Sequence, residues 1–135
     1  MTRKHDIGAL LLRIFLGVAF FAHGWAKFQG GIGNTAAFFE SLGLPGLAAY
    51  IVATIELIGG IAMILGMGKR VIACLFVLIL AGAIVKVKLA AGFLGSNQAP
   101  GYEIDLALLI ISVYFVIGNR SWLSLDSIVF RSKQK

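Results

Sequence analysis

GLAAYIVATIELIGGIAMILG, residues 46–66, is twenty-one residues long and carries one charge, Glu56, near its middle. A helix needs ~20 apolar residues to cross ~30 Å of hydrocarbon, so this stretch reads as a membrane span. The carboxylate gives it meaning. An ionisable side chain at membrane depth costs about 3 kcal/mol on insertion scales, faces a bundle interior or a wet cavity, and marks function by default.

Working outward, three more segments have the same character. Residues 7–28 contain Arg13, His23 and Lys27, residues 71–93 contain Lys86 and Lys88, and residues 100–119 open with Glu103 and Asp105. With residues 46–67, these predict an all-α fold, an integral membrane antiparallel four-helix bundle forming one domain over 1–135. Pro100 suits the first helical position of the fourth span. Starting there puts Glu103 and Asp105 in the first turns, where the positive end of the helix dipole favours carboxylates. The chain of 135 residues is 59% hydrophobic and 13% charged, with a mean hydropathy of +0.94. That is about half the charge of a soluble domain, so little mass lies outside the bilayer. The apolar run from Ile7 to Ala26 exceeds the 7–15 residues of a signal-peptide core and lacks an A-x-A site, so it reads as a retained first span.

Loop charges set the orientation. Arg3 and Lys4, Lys69 and Arg70, and Arg120, Arg131, Lys133 and Lys135 flank the ends that would face the cytoplasm, whereas 29–45 and 94–99 contain no Lys or Arg. Both termini are therefore expected in the cytoplasm of a multi-pass cell-membrane protein. In the first outer loop Asn34 is a candidate N-cap. Phe38, Phe39 and Leu42 would share one face of a short interfacial helix, ended by Gly43 and Pro45. Residues 122–130 suit the same role on the inner side. Trp25, Tyr50, Tyr102 and Trp122 fit aromatic belts.

Several classes drop out. The net charge of +6 follows membrane topology, which argues against nucleic-acid binding. Cys74, the sole cysteine, cannot form an intrachain disulfide or a dithiol pair and reads as a small inert core residue. No His/Cys cluster has metal-ligand spacing, so no metal site is expected. A haem would depend on His23 as its axial ligand, and the case for one is weak. The glycines at 30–33 and 43–46 lack the strand–turn–helix context of a nucleotide loop.

Depth and face sort the charges. In this topology His23, Lys27, Glu56, one of Lys86 and Lys88, Glu103 and Asp105 gather in the outer half, and Arg13 lies in the inner third. Arg13, Gly17, Phe20, Gly24 and Lys27 fall on one stripe at ~100° per residue, with His23 ~80° to its side. Gly17 and Gly24, and Gly59 or Gly60, would let helices approach closely. Lys86 and Lys88 point ~200° apart, so one faces inward and the other snorkels to the interface. Glu56 is either a proton-handling or ligand-anchoring carboxylate or half of a structural ion pair. Arg13 is a bundle brace or a binding residue. Lys27 is a snorkelling lysine or a site residue, and His23 a proton shuttle or an ordinary hydrogen-bonded histidine. Glu103 and Asp105 diverge too far for a dyad; each is a helix-start stabiliser or a ligand contact.

RIFLGVAFFAHGWAKF (13–28), ELIGGIAMILG (56–66) followed by a basic turn, GYEIDLALL (101–109) and SLD (124–126) together resemble the DoxX family of small four-helix membrane proteins. VKLAAGFLG (87–95) with GYEIDLALL looks like its CatD-type members, found with catechol dioxygenases and linked to catechol and quinone resistance. The resemblance implies an oxidoreductase component under chemical stress, and carries the family's motif onto Arg13, Gly24, Lys27, Glu56, Gly66, Glu103, Ser124 and Asp126. Many relatives have His or aromatic residues where this chain has Lys86 and Lys88. The expected function is therefore quinone or catechol handling, with Glu56, Lys27 and His23 as reactive groups and Arg13, Lys86, Lys88, Glu103 and Asp105 as ligand contacts. A membrane quinone would be the substrate or cofactor, no other cofactor being identifiable. The partners would be the lipid bilayer, a soluble redox or dioxygenase protein, and a second copy of the chain. A proton-coupled transporter of small solutes and a membrane scaffold for a soluble enzyme are the alternatives.

Overall fold

The computed structural model describes residues 2–118, and its regular elements there are helices. They are α1 (Thr2–Gln29), α2 (Ile32–Ser41), α3 (Gly46–Leu65), α4 (Lys69–Ala83) and α5 (Glu103–Ile117). Beyond α4 the helix runs on through a π turn, Ile84–Lys88, and a 3-10 turn, Leu89–Ala91. Three stretches, Lys4–Gln29, Gly46–Leu65 and Lys69–Ala91, are long and apolar enough to cross a membrane. The protein is accordingly a multi-pass membrane protein, and exposed Leu11, Ile58, Leu78 and Ile110 present the apolar outer surface that lipid requires. α5 spans fifteen described residues, short of the ~20 of a perpendicular crossing.

α1 lies along α3 and α4 along α5, with lighter α3–α4 and α1–α5 contacts joining the two pairs. Lipid offers no hydrophobic drive between helices, so close packing must hold them together. The α1–α3 crossing is tight enough that a Cβ on Gly60 would meet the Gly17 carbonyl oxygen and the Phe21 nitrogen at 2.6 Å. One on Gly24 would meet the Leu57 nitrogen at 2.7 Å. Gly59 instead faces the Phe76 ring of α4. Between the pairs sits the core of Leu16, Phe20, Met63, Phe76, Leu80 and Leu108. Within it the Phe20 and Phe76 rings stack at 3.6 Å and 1°.

Sequence and structure part at several points. Asn34 is not an N-cap: α2 begins at Ile32, after Gly31 turns the chain at φ 91°. The Asn34 amide instead donates to the Gly30 carbonyl at 3.0 Å. Phe38 is exposed and Phe39 half-buried, and no residue of α2 is fully buried. Pro100 does not open the last helix. It pairs with Gly95 in a small bridge. The Tyr102 and Glu103 amides donate back to the carbonyls of Gly92 (3.3 Å) and Phe93 (3.0 Å), so α5 starts at Glu103. Cys74 is exposed rather than in the core. Lys69, expected in a loop, opens α4 and is buried. Residues 122–130, with Ser124 and Asp126, lie outside the described residues.

Candidate functional site

Two charge pairs lie at the end of the molecule that carries α2 and the 92–102 loop. The Lys27 ammonium, in the last turn of α1, donates to both Glu56 carboxylate oxygens at 2.8 Å. Lys27 lies on the stripe that contains Gly17 and Gly24. The backbone approach those glycines permit brings α3 within reach of the lysine. The Glu56 side chain is 4% exposed and that of Lys27 28%. A buried acceptor is thus held by a donor that the surroundings can reach.

The second pair joins Lys88, the last residue of the π turn, to Asp105 in the first turn of α5, at 2.9 Å. Here too the carboxylate is buried and the lysine about a quarter exposed. The 92–102 loop closes the same junction, with Phe93 and Tyr102 in edge-to-face contact at 5.6 Å.

The remaining candidates stand apart. His23, Lys86 and Glu103 are exposed. Arg13 is buried and has interactions of its own, but lies fourteen residues from Lys27 along α1, about 20 Å down the axis. Of the residue pairs left open by the sequence, Lys88 rather than Lys86 turns inward, and Asp105 rather than Glu103 is buried. Among the described residues no group of three His, Cys, Asp or Glu could hold a metal ion. In the sequence Lys69, adjacent to Arg70, reads as a topology signal rather than a site residue. Only its burial sets it apart.

The Lys27–Glu56 pair has chemistry to spare. An ammonium has three N–H donors and a carboxylate about four lone-pair sites, so a bidentate contact leaves one donor and several acceptors unused. A ligand edge bearing oxygen groups would find both there. In a medium of low dielectric such bonds are stronger than in water. Two apolar side chains would fill the same space at less desolvation cost, so stability alone is a weak reason for a buried pair.

The DoxX family model matches residues 8–89, from α1 through the π turn, so Lys27, Glu56 and Lys88 fall inside it and Asp105 outside. A Bacillus subtilis (strain 168) protein named "Putative oxidoreductase CatD" is 44% identical over 134 residues, 99% of this chain and 96% of its own length. "Inner membrane protein YqjF" of Escherichia coli (strain K12) is 34% identical over 70 residues, 52% of this chain and 53% of its own. No solved structure matches significantly.

Proposed function

This chain belongs to the DoxX family, and on that footing we propose that it is an oxidoreductase-associated inner-membrane component of quinone and catechol handling. Lys27 and Glu56 take the ring. The observation that carries this reading is the bidentate pair itself, a carboxylate buried in an apolar helix and held by a partly exposed lysine. A catechol hydroxyl donates to a free lone pair of Glu56, and a quinone carbonyl accepts the N–H that Lys27 has left. The same two groups can exchange a proton with the ring. Interconversion of a quinone and its diol moves two electrons with two protons, and the electrons belong to a redox partner protein. The name of the Bacillus relative favours this chemistry over transport or scaffolding.

In this reading α5 is the fourth span of an antiparallel bundle with both termini in the cytoplasm, and α2 lies in the outer interface. Arg13 braces the opposite end.

Glu56→Gln removes the charge and keeps the shape. In cells that depend on the protein for quinone or catechol resistance, the variant is expected to accumulate normally and confer none. Full resistance at a normal protein level would exclude Glu56 from the site.

A further inference from the structure

The π turn at Ile84–Lys88 is unexplained by the Lys27–Glu56 site. Leu80, one turn before it, is a core residue. In a regular α-helix Val87 would return to within about 20° of the Leu80 stripe, and Lys88 would stand about 80° off it. A π turn advances about 80° per residue, which brings Lys88 to within about 20° of that stripe and carries Val87 away. The chain thus leaves regular geometry to turn a lysine inward where the regular helix would have turned a valine. Lys86, in the same turn, stays exposed. Single π turns inside α-helices frequently occur at functional sites.

Depth adds to this. Phe20 and Phe76 stack at 3.6 Å and so are level. Lys27 lies seven residues beyond Phe20 and Lys88 twelve beyond Phe76, towards the same end, so the Lys88 backbone stands about 6 Å farther out. Two ammonium groups therefore occupy successive depths. Each is held by a buried carboxylate, each is partly exposed, and each has N–H donors left over.

We propose that Lys88 is a second hydrogen-bond donor to the ligand of the Lys27–Glu56 site, and that this ligand is a para-quinone. The proposal rests on the reading of that pair as a ring site and extends it. A para-quinone has an acceptor oxygen at each end of a flat ring and matches two donors set at different depths. A catechol has both oxygens on one edge and engages only the inner pair. Asp105 positions Lys88, and the π turn supplies the register.

The test uses the full chain in detergent with Trp122→Phe, which leaves Trp25 as the single tryptophan. The probes are a short-chain para-benzoquinone with a fully substituted ring, which cannot arylate Cys74, and catechol itself. Lys88→Met is expected to weaken the quinone roughly tenfold, as loss of a charged hydrogen bond does, and to leave catechol unchanged. Lys86→Met is expected to change neither. If Lys88→Met fails to fold with Asp105 left unpaired, Lys88→Met with Asp105→Asn makes the same measurement. Wild-type quinone affinity in the Lys88 variants, with binding still lost in Glu56→Gln, would reduce Lys88 to a staple between α4 and α5. Equal weakening of both ligands would overturn the para-quinone assignment. Wild-type binding in Glu56→Gln as well would remove the underlying ring site.

Discussion

Glu56 and Lys27 are twenty-nine residues apart in the chain and meet through two 2.8 Å hydrogen bonds. Removing one partner of such a pair differs from removing both. Lys27→Met strands a carboxylate that is 4% exposed, at an expected cost of about 3 kcal/mol, the lower end of the range because the lysine is itself partly exposed. Lys27→Met with Glu56→Leu strands nothing and should recover most of that loss. Thermal unfolding in detergent reads both. A double variant no more stable than Lys27→Met would mean that burial of Glu56 is not what the pair offsets. This pair was legible in the sequence only in part: a lone carboxylate in an apolar run needs a partner, and Lys27, on the stripe with two glycines, was one candidate beside the lysines of the third span. The second pair was not. Glu103 and Asp105 are equivalent as helix-start carboxylates, and only the packed α5 distinguishes the exposed one from the buried one.

At the scale of elements, three of the four expected spans and the glycine contacts followed from composition and periodicity, whereas the irregular junctions did not. Hydropathy fixes where a helix can cross but does not encode a switch from i→i+4 to i→i+5 bonding, so the choice between Lys86 and Lys88 stayed open. The start of α5 was hidden for a similar reason. Pro100 suits a first helical turn on local grounds, but backbone bonds of the 92–102 loop claim it for a bridge with Gly95. The α1–α3 contact gives its own prediction. A side chain at Gly60 meets backbone atoms that cannot rotate away, so Gly60→Val should destabilise the protein by about 1–3 kcal/mol. Gly82, on α4, has nothing within 4 Å of an added Cβ, and Gly82→Ala should be neutral or stabilise by up to about 1 kcal/mol. Similar melting temperatures for the two variants would argue against the close crossing.

For the whole molecule, orientation can be tested by labelling. With Cys74→Ser as background, an impermeant maleimide applied to intact cells should label a cysteine at Asn97, in the exposed 92–102 loop, and should not label one at Met67, beyond α3. The reverse pattern would invert the topology and put the Lys27–Glu56 end at the cytoplasm. Cys74 was misplaced by the sequence because a small residue in an apolar run fits a core or a lipid face equally well, and only the packing of α4 decides.

The central claim is that Lys27 and Glu56 form a ligand site rather than a brace. Trp25 lies two residues from Lys27, is exposed and sits 6.0 Å from the Phe21 ring, so it reports on that end of α1. The decisive measurement is a fluorescence titration of Trp25 with a quinone and with catechol, in folded wild-type protein beside Glu56→Gln. Saturable binding that the variant loses at an unchanged melting temperature is the predicted result. Identical titrations in the two proteins would contradict the account and leave the pair as a structural one.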